Sequence, residues 1–202
     1  MKEFNIVLAG VGGQGTLLAA EALGVAALKD ELNVRVSEIH GMAQRGGAVV
    51  STVRIGENVF ASTVTEGQAD ILLGFEPLET LRNLKYASEK TLVIMNTEKI
   101  PPSELAAKNM SYPDTEDIVK KIHAIAKNVV LVEAMQFAKK AGNSLARNIV
   151  LLGALAGTKR LPVKTESLRE AVRELVPAKH VDVNLKAFQL GLESIEKHLT
   201  EI

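Results

Sequence analysis

The chain contains no cysteine and no tryptophan, and only five phenylalanines and two tyrosines among 202 residues. Without thiols it forms no disulfide, offers no cysteine nucleophile and cannot ligate a cysteine-bound zinc ion or hold an iron–sulfur cluster through cysteine. So few aromatic rings exclude a base-stacking platform for single-stranded nucleic acid. An excess of charge is missing too: 24 Lys and Arg are balanced by 24 Asp and Glu, so there is no basic surplus to meet phosphates. No run approaches the ~18 consecutive apolar residues that span a bilayer. The opening Met-Lys-Glu-Phe-Asn-Ile-Val-Leu-Ala-Gly lacks the long apolar stretch and cleavage site of a signal peptide. These absences lead to the expectation of a soluble, cytoplasmic protein that binds neither nucleic acid nor membrane.

What remains is 47% hydrophobic and 24% charged, the balance of an ordinary globular domain. Short apolar runs alternate with helical patterns. Phe4 to Ala9, Val34 to His40, Ile71 to Phe75, Thr91 to Asn96 and Asn128 to Val132 read as strands, several of them buried on both faces. Ala48 to Ile55 and Val59 to Val64 are β-branched runs around Gly56-Glu57-Asn58, which predicts a hairpin there. Helices are expected at Gln14–Lys29, Pro77–Lys85, Asp114–Lys127, Ala134–Ala141, Leu145–Ala156, Ser167–Leu175 and Val183–Leu199. Ser167 and Glu170 have the spacing of a capping box. No linker or repeat divides the chain. The reading is one α/β domain over residues 1–202, three-layered, with a mixed sheet containing a β-hairpin and a helical C-terminal extension.

Two segments carry the chemistry. Gly10-Val11-Gly12-Gly13-Gln14-Gly15 fits G-x-G-x-x-G directly after a strand and at the opening of a helix, the context of a Rossmann-like phosphate turn. Glycines there permit a tight turn and close approach of a ligand, and the free N–H groups of a helix start favour an anion. The same residues also serve a strand that merely turns tightly into a helix. A dinucleotide further needs an acidic residue for its ribose; Glu38 is roughly placed, but its strand runs on into His40-Gly41 and the hairpin.

The second segment is His40-Gly41-Met42-Ala43-Gln44-Arg45-Gly46-Gly47. Arg45 has the planar fork that grips phosphate or carboxylate. If the strand before this loop runs parallel to the first, both loops share the sheet edge where open α/β sheets place ligands. The other polar residues are bland. His123, His180 and His198 stand apart without metal-ligand spacing, no serine lies in a G-x-S-x-G elbow, and Glu76 reads as a loop carboxylate. No nucleophile–base pair stands out.

Taken together, Gly10 to Gly15 and Ser37 to Gly47 resemble the gamma-type subunit of 2-oxoacid:ferredoxin oxidoreductases, and most closely the small (beta) subunit of the indolepyruvate enzyme. The resemblance continues through Gly142 to Asn148, Leu151 to Leu155 and Asn184 to Gly191. It implies a complex in which a 2-oxoacid is decarboxylated on thiamine diphosphate, electrons pass through iron–sulfur clusters to ferredoxin, and the acyl group goes to coenzyme A. This chain would then be the accessory part, inactive alone. Thiamine diphosphate and the clusters are expected on a large catalytic partner subunit, with coenzyme A a ligand of the complex. Carried over by position, Gly10, Gly12, Gly13, Gln14 and Gly15 with His40, Arg45, Gly46 and Gly47 form the expected cofactor-side surface, or the surface that docks the catalytic subunit. An isolated chain is also compatible with a homodimer. The alternatives left open are a self-sufficient NAD- or flavin-binding oxidoreductase and a gamma subunit of pyruvate or 2-oxoglutarate type.

Overall fold

Phe4–Val11 (β1), Val34–His40 (β2), Ala48–Ile55 (β3), Ile71–Gly74 (β4), Leu92–Asn96 (β5) and Asn128–Val132 (β6) form one sheet in the order β2-β3-β1-β4-β5-β6. The computed structural model describes residues 3–40, 46–103, 105 and 110–200. Strand β1 pairs in parallel with β4, β4 with β5 and β5 with β6, whereas β3 runs antiparallel to both β1 and β2. Two reversals make β2 parallel to β1. Five strands therefore point their C-terminal ends to one edge of a mixed sheet.

The helices are Thr16–Lys29 (α1), Pro77–Arg82 (α2), Thr115–His123 (α3), Ala134–Ala141 (α4), Arg147–Gly157 (α5), Thr165–Leu175 (α6) and Val181–Thr200 (α7). The two-residue period of the strands divides their side chains between two cores. Ile6, Leu8, Ile71, Leu73 and Ile94 join α1 and the C-terminal helices on one face. Val7, Ala9, Leu72, Val93 and Met95 meet Ile118 and Ile122 of α3 on the other. Layered packing is what these runs predict, because strands apolar on both sides need cover on both sides.

The C-terminal helices are more than an appendage. Every residue of α5 from Asn148 to Gly157 is buried, so it is a core helix. Glycines let it cross α7 backbone to backbone: a Cβ on Gly153 would lie 2.0 Å from the Phe188 carbonyl oxygen, and one on Gly191 2.0 Å from that of Val150.

Two local expectations are corrected. Residues 59–64 form no strand; the antiparallel neighbours of β3 are β1 and β2, so the hairpin is β2–β3. Segment 59–64 instead lies against β3, where Thr52 Oγ1 donates to the Ser62 carbonyl and Arg54 Nη1 to those of Ala61 and Thr63. Side chains satisfy carbonyls that a strand ladder would otherwise have to pair. Ser167 does not cap α6, which begins earlier, at Thr165. The Asp30 carboxylate takes that role from a distance, accepting from Lys164 N and Ser167 Oγ, both at 2.6 Å.

Candidate functional site

The two glycine-rich loops meet. Gly12 N donates to the Gly47 carbonyl at 2.7 Å, and Gly46 N donates back to the Gly12 carbonyl at 3.2 Å. This reciprocal pair extends the β1–β3 ladder beyond its last strand pair, Val11 with Ala48, and joins the loops into one platform at the C-terminal edge. A third segment is tied to it: Ser103 donates through both N and Oγ to the Gly46 carbonyl, at 2.9 and 3.0 Å. Gly12, Gly13, Gln14, Gly15, Gly46 and Gly47 thus come together, with Gly10 at the end of β1 beneath them. The side chain of His40 and residues Gly41, Met42, Ala43, Gln44 and Arg45 lie outside the described residues.

Two glycines of the turn have separate reasons. Gly13 and Gly15 have φ of +99° and +81°, in the left-handed region that favours glycine. A Cβ on Gly15 would lie 2.4 Å from Asn148 Nδ2, whereas one on Gly13 would meet nothing within 4 Å. Gly13 is therefore the open point of the turn, and Gly15 the point where α5 presses on it. Beyond Gly15, α1 starts without a side-chain cap and with no acidic residue in its first turn. Its leading N–H groups have no intrahelical acceptor, so this end can receive an anion or a partner's carbonyl.

The turn sits at a topological switch. After β1 the chain passes to α1 on one face; after β4 it passes to α2 on the other side, so the two connections part at this point. Gln14 spans the gap: its Oε1 accepts from Val11 N at 2.6 Å and its Nε2 donates to the Phe75 carbonyl at 3.0 Å. That carbonyl also accepts from Asn96 Nδ2 at 3.1 Å, and Asn96 Oδ1 accepts from Ala134 N at the start of α4.

Beside this row lies Glu76, which is fully buried. Its Oε2 accepts from Glu79 N as the N-cap of α2, and its Oε1 accepts from the Tyr112 hydroxyl and from Ile100 N. Tyr112 in turn accepts from Leu78 N. Burial pushes the Glu76 carboxyl above its usual range despite these donors, and burial with the Glu76 contact raises the Tyr112 hydroxyl. Through these bonds Ile100 and Tyr112 are tied to the start of α2. The reading of Glu76 as a loop carboxylate is therefore corrected; the Pro77 that follows it at the first helical position was the sequence signal for a cap. Asn96 and Asn148 carried no comparable signal, because their partners are remote in sequence.

The ribose-binding role considered for Glu38 fails on topology. In this sheet β3 lies between β1 and β2, which puts Glu38 about two strand spacings, roughly 10 Å, to the side of the glycine turn. Among the described residues, no group of three or more His, Asp or Glu is placed to hold a metal ion, and no helix is long and apolar enough to cross a membrane. With no cysteine in the sequence, the chain does not fit a cysteine-held cluster.

The pattern that defines the pyruvate ferredoxin/flavodoxin oxidoreductase family matches residues 5–194. The chain belongs to this family. Indolepyruvate oxidoreductase subunit IorB of Pyrococcus horikoshii is 44% identical over 200 residues, covering 98% of this chain and 99% of its own. The subunit of the same name from Methanothermobacter thermautotrophicus is 45% identical over 188 residues, 93% of this chain and 95% of its own. Among solved structures, the keto/oxoacid ferredoxin oxidoreductase gamma subunit of Geobacter sulfurreducens superposes with a TM-score of 0.66 at 26% identity, covering 95% of this chain and 98% of that one. The 2-oxoglutarate:ferredoxin oxidoreductase of Magnetococcus marinus shares the fold, with a TM-score of 0.73 over the whole of this chain and 32% of that one. The mixed α/β architecture is that of the family's gamma subunits.

Proposed function

We propose that this chain is the accessory subunit of a 2-oxoacid:ferredoxin oxidoreductase of the indolepyruvate type. The chain supports oxidative decarboxylation of an aryl 2-oxoacid to its acyl-CoA in the cytoplasm, and is inactive alone. Identity supports the choice within the family: 42–45% to IorB subunits against 25–28% to pyruvate/ketoisovalerate gamma subunits. The absence of cysteine supports placing the iron–sulfur clusters, and with them thiamine diphosphate, on a larger catalytic partner that reduces ferredoxin.

The observation that carries the reading is the reciprocal Gly12–Gly47 and Gly46–Gly12 pairing, which turns two loops into one backbone-built platform. On this platform Gly10, Gly12, Gly13, Gln14 and Gly15 set the shape. We assign to Arg45, with His40, Gly46 and Gly47, the role of contacting coenzyme A or the catalytic subunit. These residues orient and dock; none of them moves a proton or an electron.

Co-expression with a large subunit bearing thiamine diphosphate and clusters should give a stable complex that reduces ferredoxin with indolepyruvate and coenzyme A. Arg45→Ala should weaken either coenzyme A binding or assembly. Failure of the chain to join any such subunit would sink the proposal. A thermal shift of the lone chain with NAD(H) would favour a self-sufficient nucleotide-binding enzyme, against which the displacement of Glu38 already speaks.

A further inference from the structure

The reciprocal bonds between the two loops are those of a β-bulge. In a regular antiparallel pair, one residue exchanges both bonds with one partner. Gly12 instead faces two residues: its N–H goes to the Gly47 carbonyl, and its own carbonyl accepts from Gly46 N. Gly46, the first bulge residue, has φ of +74°, the left-handed conformation of a G1 bulge. Such a bulge leaves one peptide outside the ladder, the one that joins Gly46 to Gly47. Its carbonyl makes no bond to β1, and its N–H has no acceptor among the described residues. With glycine on both sides, sterics leave this peptide free to turn over.

Ser103, 57 residues further along the chain, fixes its orientation. The Ser103 N and Oγ both donate to the Gly46 carbonyl, at 2.9 and 3.0 Å. The contact is close: a Cβ on Gly46 would lie 3.3 Å from that of Ser103. Two donors from one residue on one oxygen define a direction, which a single bond to solvent does not. The segment that presents Ser103 is itself tied down. Thr97 N donates to the Val132 carbonyl of β6 at 3.1 Å, and Arg147 of α5 pairs with Glu98 at 2.6 Å. Ile100 N donates to Glu76 at 3.4 Å, and Pro101 and Pro102 restrict the backbone from there to Ser103. A donor held in place beforehand loses little freedom when it engages, so this bond persists although Ser103 is exposed.

All the described peptides are trans, and a trans peptide sets its N–H opposite its carbonyl. A Gly46 carbonyl held on Ser103 therefore turns the Gly47 N–H to the other side. We infer that Ser103 is a positioning residue of the platform: it locks the Gly46–Gly47 peptide and so aims the Gly47 N–H at an acceptor oxygen of the bound molecule. The inference rests on the proposed role of the platform as the face that meets coenzyme A or the catalytic subunit, and it adds a residue that touches neither.

The full-length chain and its complex with the large subunit provide the test. Ser103→Ala removes Oγ and keeps the N–H, whereas Ser103→Thr keeps both donors. In the chain alone, the amide nitrogen resonance of Gly47 responds to hydrogen bonding at the carbonyl before it. It should move in Ser103→Ala and stay in Ser103→Thr, with melting temperatures alike. In the complex, Ser103→Ala should weaken binding roughly two- to tenfold, the worth of one hydrogen bond, with kcat at saturating substrates unchanged and Ser103→Thr as wild type. A raised KM for coenzyme A assigns the acceptor oxygen to that ligand; a raised Kd for the large subunit assigns it to the subunit. Wild-type values of both in Ser103→Ala overturn the inference, and if Arg45→Ala is still defective the platform reading stands without it. If neither variant has an effect, both readings fall. A Ser103→Ala chain that melts lower and loses kcat, unrescued in Ser103→Thr, also overturns the inference, because its role is then structural alone.

Discussion

Gln14 and Phe75 join the ends of β1 and β4: the Gln14 Nε2 donates to the Phe75 carbonyl at 3.0 Å while its Oε1 holds Val11 N at 2.6 Å. One side chain thus closes the switch point from within. Gln14→Ala strands the Val11 N–H, and should cost about 1–3 kcal/mol, read from urea unfolding at neutral pH. Gln14→Glu keeps the acceptor but turns a carboxylate oxygen toward the Phe75 carbonyl. Its deficit should exceed that of Gln14→Ala at neutral pH and shrink in acid, where the protonated carboxyl of the variant can donate again.

The two left-handed glycines should respond differently to a methyl group. At Gly13 the added Cβ meets open space, so Gly13→Ala carries only backbone strain, about 1 kcal/mol. Gly15→Ala adds a 2.4 Å clash with Asn148 Nδ2 and should cost several times as much. Combining it with Asn148→Ala should relieve the clash and leave the strain, a non-additivity that a double-mutant cycle of melting temperatures would reveal.

Glu76 makes stability depend on pH in a defined direction. Its folded carboxyl is raised by burial above the ordinary value of 4.5, so the folded chain keeps a proton that the unfolded chain releases. Its contribution is fully present below that ordinary value and declines as pH rises through the raised one. Glu76→Gln should flatten this stretch of the stability profile. Tyr112→Phe removes a hydrogen bond that favours the carboxylate, so the decline should extend to higher pH. Chemical denaturation across the acidic range separates the two variants.

Asp30 acts with the opposite sign. Burial opposes its charge, but the Ser167 and Lys164 hydrogen bonds outweigh burial and hold the carboxyl below its usual range. Asp30→Ala should cost about 1 kcal/mol at neutral pH, the worth of a helix cap. The gap to wild type should close as pH falls through the lowered value, since the stabilisation exists only while the carboxylate is charged.

Replacing a mid-helix glycine with alanine ordinarily stabilises a helix by up to about 1 kcal/mol. At Gly191 the sign should reverse, because the new Cβ would lie 2.0 Å from the Val150 carbonyl oxygen. A lowered melting temperature for Gly191→Ala checks this.

The strand–turn–helix of residues 4–29 was legible because apolar run, glycines and helix follow one another locally. That the two loops would share an edge was legible only conditionally, on β2 running parallel to β1; the intervening β3 meets that condition while carrying Glu38 away from the turn. What the sequence concealed was long-range. Val59 and Val64 look like strand residues, yet Arg54 and Thr52 take up the carbonyls between them. Asp30 caps a helix 134 residues further on, and no local pattern announces such a partner. Asn148 and Tyr112 are illegible for the same reason.

Helix α5 presses Asn148 against Gly15 at its first turn and lays Gly153 against the Phe188 carbonyl less than two turns later. At Gly153 and Gly191 that crossing is backbone against backbone, with no side chain in between to absorb a displacement. A shift of α7 should therefore carry α5 with it and, through Asn148, reach the glycine turn. The 20 residues of α7 thus serve as the far arm of the platform's alignment, and shortening α7 should misalign the turn without touching a residue in it.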